Sequence, residues 1–314
     1  MIYDLIILGG GPAGTSAAIY ASRKKLKTLF ITSEFGGQSA VSEKIYNWIG
    51  TPEISGLELA NNFKNHVLAH VDENLEAKEG QKAIRVEALP PSGGKASGFS
   101  VTTDTNETFE AKTILISTGS GHRKLEAKNA DTLEHKGITY CASCDGPLFS
   151  GMDVAVIGGG NAGFESAAQL LAYCNSVTLI NRSEAFRADE VTVEKVLSNP
   201  KMKVIKNADI LEIKGEKFVE GLIYQDRTTK EMNELAVTGI FVEIGQIPNT
   251  DLVKGLVDLD DVNRVKIDPW TNRTSVAGIW AAGDCTNILY HQNNIAAGDG
   301  VKALEDIYLY IHTK

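Results

Sequence analysis

The sequence has few cysteines, no excess of positive charge and no long apolar run, and each of these absences excludes a class of protein. Four cysteines among 314 residues are too few for a secreted disulfide scaffold. A formal net charge of −9 argues against nucleic acid or an anionic membrane surface as a partner. Because no uninterrupted apolar run is long enough to cross a bilayer, a membrane-spanning protein is not expected either.

What is present fits a two-domain enzyme. A hydrophobic fraction of 43% and a charged fraction of 23% are typical of a soluble globular protein, and 314 residues suit two domains of ordinary size. Residues 1–8 lack a basic n-region and continue directly into a glycine loop, which indicates a first strand and not a signal peptide. We therefore expect a cytoplasmic enzyme.

Two parts of the chain repeat one order of strand, glycine loop, helix and strand. The second copy begins 149 residues after the first, counting from Gly9 to Gly158. The repeated elements are predicted strands at 2–8, 27–31, 153–157 and 176–180 and predicted helices at 15–25 and 162–173. Each copy is a βαβ unit, so the chain contains two related nucleotide-binding modules.

The remaining segments complete the first module. Residues 54–70 have a helical pattern, and residues 82–117 have β-rich runs around a loop at 90–98, which suits a meander crossing that module. Residues 274–284 predict a strand that ends in a Gly-Asp turn, followed by a helix at 293–311. Because this last portion has no nucleotide loop of its own, we expect it to fold back onto the first module.

The predicted fold class is α/β, with two Rossmann-like dinucleotide-binding domains (βαβ, three-layer), the second inserted in the first. The first domain is expected to be discontinuous, over residues 1–118 and 248–314, and the second to cover 119–247. Hinge-like residues occur at both junctions, at Thr118-Gly119 and at Gly245-Gln-Ile-Pro248.

Each glycine loop follows a predicted strand and opens a predicted helix, which is the context that the dinucleotide fingerprint needs. The glycines let the backbone approach a pyrophosphate, and the helix N-terminus stabilises its charge. A tight turn without a ligand is the alternative, and two copies in register disfavour it. Asp284, at the Gly-Asp turn, can accept a hydrogen bond from a flavin ribityl hydroxyl; an ordinary turn aspartate is its alternative.

A Cys-x-x-Cys motif lies between the two loops, at Cys141 and Cys144, and Asp145 follows it. Zinc ligands, buried structural thiols and a redox pair are the three interpretations. A zinc site needs four ligands, the other cysteines (Cys174 and Cys285) lie far away in sequence, and no histidine has finger spacing, so no metal is expected. The redox pair is favoured because a turn and a proton donor adjoin the sulfurs.

The sequence also predicts where the other cysteines and three of the histidines lie. Cys174 and Cys285 are expected to be packing residues. His66 and His70 are expected on the surface of one helix, whereas His291 lies close to the Gly-Asp turn and is a candidate site residue.

Together these motifs resemble the low-molecular-weight thioredoxin reductases over essentially the whole chain. The motifs that carry the resemblance are Gly9-Gly-Gly-Pro-Ala-Gly14, Phe35-Gly-Gly-Gln38, Asn47-Trp48-Ile-Gly50, Ser117-Thr-Gly119, Cys141-Ala-Ser-Cys144-Asp-Gly146, Gly158-Gly-Gly-Asn161, Gly239-Ile-Phe-Val-Glu-Ile-Gly245, Pro248-Asn-Thr250 and Ala281-Ala-Gly-Asp284. The chain is also similar to the C-terminal reductase portion of the alkyl hydroperoxide reductase flavoprotein subunit, through residues 136–149 and Asp284-Cys285. That flavoprotein carries an N-terminal thioredoxin-like region, which we expect to be absent here.

The resemblance implies a homodimer with FAD in the first module and NADPH, or alternatively NADH, in the second. It implies that Cys144 faces the flavin, that Cys141 attacks the disulfide of thioredoxin or a thioredoxin-like protein, and that Asp145 is the acid/base. It also implies that the nucleotide module rotates. The cofactor-binding residues that it carries over are Gly9, Gly11, Pro12, Ala13, Gly14, Ser33, Glu34, Gly37, Gln38, Asn47, Thr118, Gly119, Gly283, Asp284, Gln292, Asn293 and Ile295, and in the second module Gly158, Gly160, Asn161, Ala162, Gly163, Glu165, Arg182, Arg187 and Gly245.

The sequence departs from the family pattern in three places. The family's three arginines for the 2′-phosphate are reduced to Arg182 and Arg187, with Ser183 in place of the third. A usual Pro-Gly is absent from residues 125–130, and His291 stands where the reductases usually have arginine. The expected function is thioredoxin-disulfide reductase. The alternatives are an NADH-dependent reductase like the hydroperoxide reductase flavoprotein, a ferredoxin-dependent flavin reductase, and a flavin redox sensor without turnover.

Overall fold

The structure is a computed structural model that describes residues 2–42, 44–90 and 98–313, so the loop predicted at 90–98 lies almost wholly outside the described residues. The helices are α1 (Pro12–Arg23), α2 (Gly56–Leu68), α3 (Ala142–Asp145), α4 (Asn161–Leu170), α5 (Glu190–Leu197) and α6 (Asn293–Thr313). The strands are β1 (Ile2–Gly10), β2 (Thr28–Phe35), β3 (Leu75–Glu79), β4 (Ala83–Ala88), β5 (Phe99–Thr103), β6 (Thr108–Ile116), β7 (Ser120–His122), β8 (Ile138–Thr139), β9 (Asp153–Ile157), β10 (Ser176–Ile180), β11 (Met202–Ile205), β12 (Ala208–Lys214), β13 (Gly221–Asp226), β14 (Met232–Leu235), β15 (Gly239–Val242), β16 (Gln246–Pro248) and β17 (Ile279–Ala281). Among the helices that the structure describes, none combines the length and the apolar character needed to span a membrane.

The chain divides into two compact units. The first comprises residues 1–121 and 247–314, and the second comprises residues 122–246. The chain leaves the first unit within β7 and returns to it within β16. The second unit is therefore an insertion in the first.

The first unit is built on a seven-stranded sheet with β1 near its centre. The neighbours of β1 are β2 and β6, both parallel to it, and β3 and β17 extend the parallel part. Strands β4 and β5 add an antiparallel edge. Leu5, Ile6 and Ile7 are fully buried, because helices cover one face of the sheet and apolar segments the other, and such strands are apolar throughout.

The second unit has a five-stranded parallel sheet in the order β11-β10-β9-β15-β8. A separate three-stranded antiparallel sheet, β12-β13-β14, completes it. Helix α4 buries Phe164, Ala167 and Leu170 among the residues of β9 and β10. The predicted fold class, with two dinucleotide-binding domains, is confirmed.

Several element bounds differ from the predicted ones. The strand predicted over 274–284 is only β17, because Thr274 bonds back to the carbonyl of Val276 and Gly278 adopts a φ of 95°. Strands β4, β5 and β6 form an antiparallel meander, as expected for residues 82–117, and β6 also pairs in parallel with β1. The predictions omitted β3, α5 and the sheet of β12–β14.

Candidate functional site

A cavity of about 480 Å³ opens in the first unit at the carboxyl ends of β1, β2 and β6. This edge is where parallel α/β sheets bind their ligands. Of the cofactor-binding residues predicted in this unit, thirteen line the cavity: Gly9, Gly11, Pro12, Ala13, Ser33, Glu34, Gly37, Gln38, Thr118, Gly119, Gly283, Asp284 and Asn293.

The glycines of the first loop have different physical tasks. Gly9 has a φ of 115°, and a Cβ there would lie 2.3 Å from the carbonyl oxygen of Ser117. A Cβ on Gly14 would lie 1.9 Å from the carbonyl oxygen of Gly9. Gly11, in contrast, faces open space, and a Cβ added to it would meet no atom within 4 Å. Gly9 and Gly14 thus allow the loop to pack, whereas Gly11 leaves room for a ligand.

Four predicted residues of this unit do not line the cavity. Gly14 lies beneath the loop, and Ile295 lines a separate hollow. Asn47 and Gln292 hydrogen-bond to each other through Nδ2 and Oε1 at 3.1 Å. Neighbouring Asn293 is held by Ser39, whose hydroxyl donates to Asn293 Oδ1 at 2.8 Å.

Sequence reasoning missed a second group of cavity residues. They come from the start of β4 and the two residues before it, and from β16 and the segment after it: Gln81, Lys82, Ala83, Ile84, Ile247, Pro248, Asn249, Asp251 and Leu252. Gln81 Oε1 is buried and has no hydrogen-bond partner among the described residues. An open glycine cradle and an orphaned buried acceptor in one cavity fit a large polar cofactor such as FAD.

Asp284 and His291 form a pair at this cavity. Nδ1 of His291 lies 3.4 Å from Oδ1 of Asp284, which lines the cavity. Cys285 is fully buried, and burial raises the pKa of its thiol to about 11. The predicted packing role of Cys285 is consistent with this environment, as is that of the buried Cys174.

The glycine loop of the second unit repeats the geometry of the first. Gly158 has a φ of 131°, and a Cβ there would lie 2.2 Å from the carbonyl oxygen of Glu243. A Cβ on Gly163 would lie 2.1 Å from the carbonyl oxygen of Gly158, whereas Gly160 faces open space. Asn161 and Ala162 are the first residues of α4. The backbone N–H groups of a first helical turn have no partner within the helix, so they are available to an anionic ligand.

The loop after β10 carries the two arginines. Asn181 is buried, and its Nδ2 donates to the carbonyls of Ser183 at 2.7 Å and Ala185 at 3.0 Å. Arg182 Nε donates to Asp209 Oδ1 at 2.9 Å. The exposed Arg187 donates only its backbone N–H, to Gly159, in the bonds that the described residues show.

A partly buried carboxyl group adjoins this nucleotide loop. Glu243 follows β15 directly, and Ser166 Oγ on α4 donates to its Oε1 at 2.5 Å. Burial, together with the nearby carboxylate of Glu165, raises the pKa of Glu243 to about 7, although the Ser166 hydrogen bond lowers it. The sequence prediction included Glu165 and omitted Glu243.

The Cys-x-x-Cys motif is a disulfide between Cys141 and Cys144, with Cα atoms 5.3 Å apart. Cys141 caps α3, and the backbone N–H of Cys144 donates to its Sγ at 3.1 Å. Both cysteines are partly exposed. The pair is thus an accessible disulfide, which is the form expected of a redox pair and not of zinc ligands or buried thiols.

Asp145 lies in the same turn as the disulfide. Thr139 Oγ1 donates to its Oδ2, and the same hydroxyl accepts the N–H of Cys141 at 3.4 Å. Burial raises the pKa of the Asp145 carboxyl above its ordinary value, whereas the Thr139 hydrogen bond and the charge of His135 lower it. Thr139 therefore links the Asp145 carboxyl to the backbone of Cys141.

The fold and these sites define a two-domain dinucleotide-binding oxidoreductase with a reactive disulfide. Residues 3–300 match the model of the pyridine nucleotide-disulphide oxidoreductase family. The chain belongs to this family, whose members use FAD and a pyridine nucleotide.

Solved structures and curated relatives agree with this assignment. Thioredoxin reductase from Streptococcus pyogenes superposes with a TM-score of 0.90 at 31% identity, over 100% of this chain and 99% of that one. Thioredoxin reductase from Giardia duodenalis also gives 0.90, at 30% identity over 98% of each chain. A NADH dehydrogenase of Bacillus subtilis and the F subunit of alkyl hydroperoxide reductase from Escherichia coli are each 37% identical over 98% of this chain. The chain spans 58% of the length of each of these two relatives.

Proposed function

We propose that this chain is a thioredoxin-disulfide reductase that passes electrons from NADPH, by way of FAD, to a disulfide in thioredoxin or a thioredoxin-like protein. The observation that carries the proposal is the partly exposed Cys141–Cys144 disulfide with Asp145 in the same turn. Likeness to two thioredoxin reductases over the full chain length supports it.

The first unit would hold FAD through the open surface at Gly11 and through Asp284, which would accept from a ribityl hydroxyl. The second unit would hold the dinucleotide at Gly160 and the N-terminus of α4. When bound, FAD supplies the two-electron chemistry that accepts a hydride and reduces a disulfide.

Reduction of the Cys141–Cys144 disulfide takes two electrons and leaves both cysteines in the reduced form. Cys141 then attacks one sulfur of the partner disulfide and forms a mixed disulfide, releasing the other partner sulfur as a thiolate. Cys144 attacks Cys141, which restores the original bond and frees the second partner sulfur. The net reaction consumes one hydride and one proton, and Asp145 would deliver protons to the departing thiolates.

Cys141 is the better of the two attacking groups. The backbone N–H of Cys144 donates to its sulfur, and a hydrogen bond to a charged form favours that form. The thiolate is the nucleophile in disulfide exchange, so this contact favours Cys141 as the attacking sulfur.

NADPH is the proposed donor because no acidic side chain follows β10 at the position that usually binds a ribose 2′-hydroxyl; Asn181 stands there and holds the loop. Arg187 has no carboxylate partner among the described residues and is free to meet a 2′-phosphate. Arg182 is already paired with Asp209, so the preference should be modest.

A NADH-dependent reductase of a peroxide-reducing system is the second candidate. The specific observation for it is the 37% identity to the NADH dehydrogenase and to the F subunit of alkyl hydroperoxide reductase. In that case a separate thioredoxin-like carrier would receive the electrons from Cys141.

We also propose a homodimer. Leu289, Tyr290 and Ile295 are exposed and line one hollow of the first unit, a combination that marks protein interaction surfaces. Light scattering should give twice the chain mass of 33.8 kDa.

Anaerobic titration of the FAD-loaded protein with NADPH and with NADH tests the donor, because either nucleotide bleaches the flavin when it donates. Steady-state reduction of a thioredoxin disulfide then tests the acceptor. Bleaching without turnover would favour the redox sensor, and failure of both nucleotides to bleach would favour the ferredoxin-dependent alternative.

A further inference from the structure

The second unit places an ionisable carboxyl group at the edge of its nucleotide loop. Glu243 follows β15 immediately, and β15 pairs in register with β9, the strand that leads into the loop. The backbone of Glu243 lies so close to Gly158 that only glycine fits there. The loop and the carboxyl group are therefore held at a fixed separation.

The Glu243 side chain turns under the helix that opens the site. Its Oε1 accepts the Ser166 hydroxyl at 2.5 Å, and Ser166 lies on the buried side of α4. Glu165, the preceding residue of α4, is exposed and is one of the residues expected to bind the nucleotide. Two carboxyl groups thus lie near the middle of the helix whose N-terminus would meet a pyrophosphate.

The other elements around Glu243 supply little compensating charge. On α4, Glu165 is the titratable group that acts on it, and it raises the pKa of Glu243. The segment bonded to Gly245, beyond Glu243 in the chain, bears Arg123, whose side chain is exposed. Strand β9 contributes only apolar residues at this end, from Val154 to Ile157.

We propose that Glu243 is a positioning residue of the nucleotide site, favourable to the dinucleotide as a neutral acid and unfavourable as a carboxylate, so that nucleotide affinity falls as the pH rises through neutrality. The reason is electrostatic, since a pyrophosphate carries negative charge and an ionised Glu243 would add a second carboxylate beside Glu165. The raised pKa of about 7 puts this change in the neutral range. The inference rests on the proposed nucleotide site of this unit.

Calorimetric titration of the FAD-loaded protein with NAD⁺ from about pH 5.5 to about pH 8.5 tests the inference. NAD⁺ does not reduce the flavin, and it lacks the 2′-phosphate whose own ionisation would complicate the profile. The wild-type Kd is expected to rise about three- to tenfold across this range. Glu243→Gln keeps an acceptor for Ser166, and its Kd should stay near the acidic wild-type value at every pH.

Two further variants sharpen the test. Ser166→Ala removes a hydrogen bond that lowers the Glu243 pKa, so the loss of affinity should move to higher pH. Glu194→Gln removes an exposed carboxylate from α5 and should behave as wild type.

The outcomes are distinguishable. A wild-type Kd that does not change with pH, or a Glu243→Gln variant that keeps the wild-type change, overturns the inference alone. Absence of binding by both NAD⁺ and NADP⁺ at every pH overturns the proposed function as well.

Discussion

The backbone N–H of Cys144 donates a hydrogen bond to the sulfur of Cys141, at 3.1 Å. The donor belongs to the main chain, so replacement of either side chain leaves it in place. The two cysteines are adjacent in the fold but unequal in environment, and this inequality makes their roles separable by experiment.

The roles of the two cysteines can be assigned by trapping. Cys144→Ser should accumulate a mixed disulfide between Cys141 and oxidised thioredoxin, because the resolving sulfur is absent. Cys141→Ser should accumulate little. Non-reducing gels and mass spectrometry of the adduct measure the difference. The opposite pattern would reverse the assignment of attacking and resolving sulfur.

Replacement of Asp145 should slow disulfide reduction by about 10²- to 10⁴-fold, the contribution of a typical general acid/base. Asp145→Asn should leave FAD content unchanged and should remove one limb of the pH profile of kcat. Thr139→Val takes away a hydrogen bond that lowers the Asp145 pKa, so the same limb should shift to higher pH. Wild-type turnover in Asp145→Asn would exclude this residue from proton transfer.

Nucleotide preference should depend more on Arg187 than on Arg182. Arg187→Ala should lower kcat/KM for NADPH about tenfold and spare NADH, because a charge-assisted hydrogen bond is worth roughly 1.5–3 kcal/mol. Arg182→Ala should cost less, since Asp209 already pairs with that guanidinium. Asp209→Asn is the matched variant, and by releasing Arg182 it should improve NADPH use. Equal or better use of NADH by the wild type would contradict the NADPH proposal.

The raised pKa of Glu243 predicts how the free energy of unfolding depends on pH. Its folded pKa of about 7 lies above the ordinary glutamate value of 4.5, so in this window the unfolded chain loses a proton that the folded chain keeps. The free energy of unfolding should therefore fall as pH rises through the window, by at most about 1.4 kcal/mol per pH unit, and level off above the folded pKa. Urea denaturation of wild type and Glu243→Gln isolates this slope, which should vanish in the variant. Parallel profiles would show that Glu243 is ionised throughout.

The two kinds of loop glycine should respond differently to alanine. Gly11→Ala should fold normally and lose FAD affinity, because its Cβ meets no protein atom and would project into the space assigned to the cofactor. Gly14→Ala should lower the melting temperature, since its Cβ would overlap the carbonyl of Gly9. Gly160→Ala and Gly163→Ala form the equivalent pair in the second unit. Flavin content, NADP⁺ titration and thermal unfolding separate the two effects, and a destabilised Gly11→Ala would contradict this division.

The glycine loops and strand β10 were predictable because their signals are local in sequence: a strand, a tight turn and a helix within one βαβ unit. The contribution of Gln81 was not, because its place in the cavity depends on how β4 and β5 extend the sheet. The Arg182–Asp209 ion pair could not be predicted either, because Asp209 lies on β12, in a sheet that the sequence periodicity did not indicate. Contacts made between distant segments are set by packing, which a single sequence does not display.

Glu243 is a second example of a residue near a candidate site that the sequence alone did not reveal. Sequence reasoning assigned a role to Glu165 from motif position and passed over Glu243, which is partly buried and hydrogen-bonded to Ser166. No spacing rule relates these residues, because one follows β15 and the other lies on α4. Asn181 was given no role by sequence reasoning, whereas in the structure its amide donates to two loop carbonyls.

That amide has a consequence for how the protein can change. The Asn181 amide holds the loop at the carbonyls of Ser183 and Ala185, while the side chains of Arg182 and Arg187 project from the loop and are exposed. The two side chains that we propose to discriminate between nucleotides therefore lie outside these loop-stabilising hydrogen bonds. Descendants of this sequence are free to exchange one electron donor for another through a few surface substitutions, provided that the asparagine is retained.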